Sequence, residues 1–368
     1  MAKMKRSVLS IIVLSITVLF SLGAVRLLSH NDRQKEAAMK RADKYIELHL
    51  HLDGAITVDI AKKLAKLQGI TLPTEDDEEL LALLSVPDDC DSLNDFLECF
   101  AFPLTLLQTK EGITESVRLV LKSLKEQGVL YAEIRFAPQL HTDKGLTQEG
   151  AVLAAIDGLK GAAIPGNLIL CCMRGEGNEA LNYETVETAK KYLVEDGGVV
   201  ALDLAGAEAL YPTENYSGLF ALAKEYGIPF TIHAGEAADA KSVRTAIEMG
   251  ASRIGHGVRI FEDESVAELV REKGVTLEMC PTSNRMTNAV EDMSDYPLQD
   301  YLKKGIKVTL NTDDMAIERT TLADEYRYME KTFGLTPEQE TRLLKNAIDA
   351  AFTSEATKAE LRKAIGVK

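Results

Sequence analysis

Residues 45–52 read YIELHLHL and are followed at once by Asp53 and Gly54. A short apolar run that ends in a turn signal is typical of a buried strand in a parallel sheet. Side chains of a strand alternate between its two faces, so His49 and His51 lie on the same face. This stretch therefore predicts a strand that carries two imidazoles into the interior of the fold.

Seven further runs of this kind follow, and a helical pattern comes after each. They cover residues 130–138, 167–173, 199–206, 229–235, 253–257, 276–281 and 307–313. Strands that alternate with helices predict a parallel sheet, and eight such units predict an α/β fold closed into a (β/α)8 TIM-type barrel. A doubly wound open sheet is the alternative, but it would seldom need eight strands, and no G-x-G-x-x-G follows the first run.

The connection between the first two runs, residues 53–129, is unusually long. Helical patterns occupy residues 60–67, 78–84, 93–107 and 114–127 of it. An insertion at this point lies over the C-terminal mouth of a barrel, where active sites form, so we expect a helical lid. Residues 336–366 predict helices that close the fold.

Composition limits the classes of function. The 368 residues are 46% hydrophobic and 27% charged, which is typical of a globular protein, and the formal net charge is −15. Such a surface repels phosphate backbones, so we expect no nucleic-acid partner. Five cysteines without a framework spacing argue against a disulfide scaffold, and Cys171, Cys172 and Cys280 are predicted to be buried thiols.

The N-terminus differs from the rest of the chain. Residues 7–25 are uncharged and mostly apolar, so we assign residues 1–28 to an anchor or signal segment, 29–44 to a linker, and 45–368 to the barrel with its C-terminal helices. We favour an uncleaved transmembrane helix and a membrane-associated protein, with the membrane touched only through residues 7–25. More cations follow this run than precede it, which would keep the barrel cytoplasmic. A cytoplasmic protein with a later translation start, or an exported one, is the alternative.

Four motifs at strand ends carry chemistry. They are the H-x-H of His49 and His51, H-A-G-E ending in Glu236, G-H-G around His256, and N-T-D-D ending in Asp313 and Asp314. Taken singly, each has a plain structural interpretation: half-buried histidines, a surface turn, a histidine in a tight turn, and a helix N-cap pair.

Together these motifs favour a metal site, because the C-terminal ends of barrel strands converge on one mouth. Three imidazoles, from His49, His51 and His233, and the carboxylate of Asp313 form a donor set for Zn²⁺ with one position left for water. Mg²⁺ and Ca²⁺ prefer oxygen ligands and are not expected. We expect one zinc ion per chain, although Co²⁺ or Fe²⁺ could occupy the same ligands.

The motif set resembles that of the adenosine deaminase family. The matching stretches are ELHLHLDG at 47–54, HAGE at 233–236, GHG at 255–257, CPTSN at 280–284 and LNTDD at 310–314, and the resemblance extends from about residue 45 to 361. Weaker matches are the strand-three end at 171–174 and the strand-four signature at 203–206. The resemblance implies hydrolytic deamination of adenosine, and of 2′-deoxyadenosine, to inosine and ammonia in purine salvage.

The resemblance also implies a role for each residue. Glu236 would protonate ring nitrogen 1, and His256 would take a proton from the attacking water or hold the hydroxide in line, with its charge stabilised by Asp313. The substrate-binding residues it implies are His51, Asp53, Gly206, Asp314, Met173 and the apolar lid residues Leu93, Phe96, Leu97 and Phe100.

Asp53 bears on the choice of substrate. Related adenine deaminases typically carry Glu at this position, so Asp favours a nucleoside. An AMP deaminase would need a cationic phosphate clamp, which the motifs lack.

Ala207 and Met315 depart from the family pattern and put substrate fine-tuning in doubt. The alternatives are deamination of a modified adenine nucleoside, another amidohydrolase-type hydrolysis, and an inactive nucleoside-binding barrel; the oligomeric state is left open.

Overall fold

The computed structural model describes residues 41–87, 90 and 92–367. Within these residues, eight strands run parallel in chain order. They are β1 (Tyr45–His51), β2 (Val129–Phe136), β3 (Gly166–Met173), β4 (Val199–Ala205), β5 (His233–Ala234), β6 (Arg253–His256), β7 (Thr276–Met279) and β8 (Lys307–Leu310). The predicted β/α barrel is confirmed.

The barrel is built from two halves. Strands β1 to β4 pair in order, as do β5 to β8. One bridge, Leu202 with Phe230, joins β4 to the segment before β5, and a second, Leu50 with Asp313, joins β1 to the segment after β8. The predicted fifth strand, residues 229–235, is regular only at His233–Ala234, although the Pro229 carbonyl accepts the N–H of Leu202 over 3.0 Å and the Ile232 carbonyl accepts that of Gly255 over 2.9 Å.

Helices surround the barrel. Those that follow β2 to β8 are α6 (Gln148–Leu159), α7 (Glu179–Tyr192), α8 (Ser217–Glu225), α9 (Ala240–Met249), α10 (Glu264–Lys273), α11 (Pro281–Met286), α12 (Leu298–Lys304), α13 (Leu322–Phe333), α14 (Pro337–Ala350) and α15 (Glu355–Ile365). Many begin at a Ser, Thr or Asp whose side chain accepts a backbone N–H, as Thr147, Thr321 and Ser354 do. Their buried faces pack on strands that are buried along almost their whole length.

The predicted helical insertion lies between β1 and β2. It contains α1 (Val58–Gln68), α2 (Asp77–Leu84), α3 (Leu93–Glu98), α4 (Ala101–Thr105) and α5 (Lys110–Glu126). The single helix expected over residues 93–107 is divided at Cys99 and Phe100. Pro103 lacks an N–H and is tolerated only in the first turn of a helix, so the chain starts a new helix just before it.

The expectation of a transmembrane helix and a membrane-associated protein is corrected by the structure. Every helix in the described part of the chain is too short or too polar to traverse a lipid bilayer. Residues 7–25, on which the expectation rested, lie outside the described residues. Residues 41–44, assigned to the linker, lie against the barrel, where Arg41 forms ion pairs with Glu330 and Glu340.

Candidate active site

Four side chains bring one donor atom each to a common point at the C-terminal mouth of the barrel. His49 Nε2 and His51 Nε2 lie 3.1 and 3.3 Å from His233 Nε2, and also 3.1 and 3.3 Å from Asp313 Oδ1. Donors that surround a tetrahedral zinc ion at its usual bond lengths are about 3.3–3.4 Å apart. The structure therefore brings together all four predicted metal ligands, in an arrangement that fits one divalent ion.

Buried carboxylates orient two of these rings. His49 Nδ1 lies 2.7 Å from Glu278 Oε2, and His233 Nδ1 lies 2.9 Å from Asp203 Oδ2. Each contact directs the Nε2 atom of its ring to the common point, as outer partners of metal-binding histidines do. Arg135, on β2, donates to both carboxylates, to Asp203 over 2.9 Å and to Glu278 over 2.7 Å.

Sequence reasoning assigned no role to Arg135, Asp203 or Glu278. One signal was available, because Asp203 is the only charged residue in β4 and Glu278 is the only one in β7. A charge inside a buried strand needs a partner, since burial without one is costly.

His256 faces the metal ligands from the end of β6. Tyr296 donates its hydroxyl to Asn284 Oδ1 over 3.0 Å, which leaves the Asn284 amide nitrogen 3.1 Å from His256 Nδ1. An amide nitrogen only donates, so Nδ1 accepts and Nε2 carries the proton of the neutral ring. That Nε2 atom lies 3.5 Å from Glu236 Oε2 and 3.6 Å from Asp313 Oδ2.

The backbone at two of these residues is strained. His256 and Asp313 adopt φ values of 59° and 62°, in the left-handed region that side-chain-bearing residues rarely enter. Such conformations cost on the order of 1–3 kcal/mol each and persist where the surroundings enforce them. At the ends of β6 and β8, they turn both side chains into the mouth.

Glu236 is a buried carboxyl group beside these residues, with 3% of its surface exposed. Burial, reinforced by the charge of Asp313, raises the pKa of Glu236 to about 8. Burial and the charge of Asp313 likewise hold the pKa of Asp314 well above its ordinary value. Glu236 can therefore hold a proton near neutral pH, which a general acid requires.

A cavity opens above the metal ligands and under the inserted helices. It is lined by all nine residues predicted to bind substrate: His51, Asp53, Leu93, Phe96, Leu97, Phe100, Met173, Gly206 and Asp314. Sequence reasoning missed Leu104, Ala137, Leu140, Cys171, Ala205 and Ser283. Ser283 lies within the C-P-T-S-N motif, which could have marked it.

Polar atoms without a hydrogen-bond partner converge on this cavity. They belong to Asp53 (Oδ1), Glu236 (Oε1), His256 (Nε2), Ser283 (Oγ) and Asp314 (Oδ1), all in buried residues. Buried polar groups of a folded protein are nearly always paired. These five atoms therefore mark a place where a polar ligand binds.

The barrel and the cluster at its mouth define the class of protein, a metal-dependent hydrolase of the amidohydrolase type. The family model described as Adenosine deaminase matches residues 45–367. An adenosine deaminase of Haemophilus ducreyi is 46% identical, over 86% of this chain and 94% of that protein. An adenosine deaminase of Clostridium perfringens is 42% identical, over 87% and 97%.

A solved structure has the same fold. The adenine deaminase of Arthrobacter aurescens superimposes with a TM-score of 0.79 at 29% identity and covers 88% of this chain and 98% of its own. The chain belongs to the adenosine deaminase family, and it is a hydrolytic deaminase.

Proposed function

We propose that the protein removes the 6-amino group of adenosine, and of 2′-deoxyadenosine, by zinc-dependent hydrolysis that yields the inosine nucleoside and ammonia. The observation that carries this proposal is the juxtaposition of a three-histidine, one-aspartate cluster with the buried acid Glu236 in a single cavity. Hydrolytic deamination needs both parts: a site that activates water, and an acid that makes the ring electrophilic.

The donor set supports zinc. His49, His51, His233 and Asp313 offer three imidazole nitrogens and one carboxylate oxygen, which suit Zn²⁺ better than an oxygen-seeking ion. When bound, zinc would supply an acidified water for attack on carbon 6 of the purine.

The remaining residues of the mouth move or hold protons. Glu236 donates a proton to ring nitrogen 1, which makes carbon 6 more electrophilic. His256 Nε2, which carries the proton of the neutral ring, lies within 3.6 Å of both Glu236 and Asp313. This N–H donates to the attacking oxygen and holds it in line with carbon 6.

The cavity walls orient the nucleoside. Asp314 contacts ring nitrogen 7, the Gly206 amide faces ring nitrogen 3, and Asp53 accepts a hydrogen bond from a ribose hydroxyl. The lid residues Leu93, Phe96, Leu97 and Phe100, together with Met173, cover the apolar ring faces and exclude water.

Charge favours a nucleoside over a nucleotide. Among the described residues that line the cavity, no lysine or arginine is present, whereas Asp53, Glu236, Asp313 and Asp314 are. A phosphate group would enter this site without a cationic partner, at a high desolvation cost. We therefore expect AMP to be a poor substrate.

The test is the fall in ultraviolet absorbance when the purified, zinc-loaded full chain meets adenosine, 2′-deoxyadenosine, adenine and AMP in parallel. We expect a fall with the two nucleosides and none with the free base or the nucleotide. In the matched variant Asp53→Ala, loss of the ribose contact should raise KM for adenosine more than it lowers kcat. No change in absorbance with either nucleoside, at full zinc content, would overturn the proposal. A modified adenine nucleoside would then be the next substrate to test.

A further inference from the structure

The carboxylate of Glu208, just after β4, is buried against the loop that carries Glu236. Its Oε1 atom accepts the backbone N–H of Gly235 over 2.8 Å. Its Oε2 atom accepts the N–H groups of Glu236, Ala237 and Ala238 over 3.0, 2.8 and 3.0 Å. Four consecutive backbone amides thus converge on one side chain that is 1% exposed.

Further contacts fix this arrangement. Ser242 donates its hydroxyl to Glu208 Oε1 over 2.6 Å, which gives the carboxylate a fifth donor. Arg174, just after β3, donates to the carbonyl of His233 over 2.6 Å. Gly235 turns with φ 71°, and this turn aims the successive amides at one point. Such a run of amides is an anion-binding concavity, and here the protein's own carboxylate fills it.

This contact is separate from the capping of the following helix. The N-cap of α9 is Asp239, whose side chain accepts the N–H of Lys241. Glu208 instead binds the residues between His233 and the helix, so it acts on the segment that presents Glu236 to the cavity. Hydrogen bonds to a charged acceptor are about twice as strong as neutral ones, which suits a group that must hold a loop still.

We infer that Glu208 is a positioning residue that holds the backbone of Glu236, and so aims its carboxyl group at the substrate ring. This inference rests on the proposed function, since it assigns Glu236 the role of acid. The side chain must be Glu: Gln replaces one acceptor oxygen with an NH₂ group that faces N–H donors, and Asp is one methylene too short to reach all five.

The first experiment compares Glu208→Gln and Glu208→Asp with the wild-type protein as zinc-loaded full chains. For Glu208→Gln we expect kcat with adenosine to fall about 10- to 100-fold, since a displacement of about 1 Å at a reacting group can cost this much. Zinc content should be unchanged, and KM should change little because ground-state binding is kept. The kcat of Glu208→Asp should lie between those of the wild type and Glu208→Gln. This variant replaces Glu208→Gln in the experiment if Glu208→Gln does not fold.

The matched control is Glu340→Gln. Glu340 is also a buried carboxylate that accepts a backbone N–H, from Ala42 over 2.8 Å, but it lies on α14, away from the mouth. The Glu340→Gln variant should be less stable to unfolding than the wild type, with an unchanged kcat. Wild-type kcat in folded, zinc-loaded Glu208→Gln would overturn the inference.

A double-mutant cycle tests whether Glu208 acts through Glu236. In the Glu236→Gln background, adding Glu208→Gln should cost less than about threefold in kcat, because the group it positions is already gone. If Glu208→Gln lowers kcat by the same factor in both backgrounds, Glu208 does not act through Glu236, and the inference is overturned.

Amide hydrogen exchange at residues 235–238 gives a readout that needs no substrate. We expect slow exchange in the wild type and faster exchange in Glu208→Gln, and equal rates would contradict the inference. If the wild-type protein does not deaminate adenosine, the proposed function is refuted. Equal exchange rates refute only the role of Glu208, so the two outcomes are distinguishable.

Discussion

The carboxylate of Asp314 lies against the backbone of Gly54, in the space that any side chain at that position would need. A Cβ atom on Gly54 would lie 1.7 Å from Asp314 Oδ1, much closer than atoms can approach. The Gly54 carbonyl also accepts the N–H of Ala316 over 2.9 Å. The loops after β1 and β8 therefore interlock, and Gly54 sets the position of a residue proposed to contact the purine.

Replacing this glycine should damage substrate recognition. In Gly54→Ala the new methyl group must displace Asp314, and we expect kcat/KM for adenosine to fall about 10- to 100-fold. Steady-state kinetics on zinc-loaded protein measures the effect. The control is Gly218→Ala, where a Cβ would meet only Tyr183 Oη at an ordinary 3.6 Å, and activity should be retained. Normal kinetics in Gly54→Ala would show that Asp314 tolerates displacement.

Glu236→Gln keeps the shape of the side chain but removes its proton. We expect kcat to fall by roughly 10²–10⁴ or more, which is the range that general acid catalysis contributes. Bound metal, measured by elemental analysis, should be unchanged because Glu236 is outside the ligand cluster. A loss of metal in this variant would mean that Glu236 is a ligand and its assigned role is wrong.

Asp203→Asn should weaken metal binding. The neutral amide still accepts a hydrogen bond from His233 Nδ1, but it no longer compensates the charge of Arg135 beside it. Loss of such an outer partner costs about 10- to 100-fold in metal affinity, which competition with a chelator measures. Asp196→Asn is the control, because Asp196 is an exposed carboxylate that binds Thr353 and Ser354 far from the mouth. Equal metal affinities of Asp203→Asn and the wild type would show that Asp203 does not support metal binding.

His141 predicts part of the pH dependence of stability. Burial lowers the pKa of this histidine from 6.5 to about 4, while its Nδ1 donates to the Leu107 carbonyl over 2.9 Å. Above pH 6.5 the ring is neutral in both the folded and unfolded states. As the pH falls from 6.5 toward 4, only the unfolded chain takes up the proton, so the free energy of unfolding decreases, by about 3 kcal/mol in total.

The variant His141→Gln isolates this contribution. In urea unfolding with the metal chelated, it should lose about 3 kcal/mol less stability than the wild type over that pH range. Identical pH profiles would mean that His141 is protonated in the folded state as readily as in the unfolded chain.

The sequence predicted those parts of the site that depend on local pattern. The strand ends that carry His49, His233, His256 and Asp313 follow from apolar runs that stop at turn residues, and barrel geometry brings such ends together. The contact of Asp314 with Gly54 and the four amides on Glu208 depend on how two loops approach each other. The pairing of Arg135 with Asp203 and Glu278 joins three strands across the barrel. No local pattern encodes these distances.

Two local details were mispredicted. The continuous helix over residues 93–107 fits the apolar periodicity, but Pro103 divides it. The fifth strand is shorter than its apolar run, because the segment before it pairs with β4 through the single bridge of Leu202 with Phe230. In the helix, a single proline overrides the hydrophobic pattern, through a hydrogen bond that it cannot make.

The two halves of the barrel meet at seams of one bridge each, and the metal ligands come from both halves. His49 and His51 belong to the first half, whereas His233 and Asp313 belong to the second. An ion held by all four would fasten the halves together, so the energy of metal binding would also be energy of folding. Metal starvation would then do more than halt turnover. It would also lower the free energy of unfolding, and so raise the fraction of open chain that proteases can cleave.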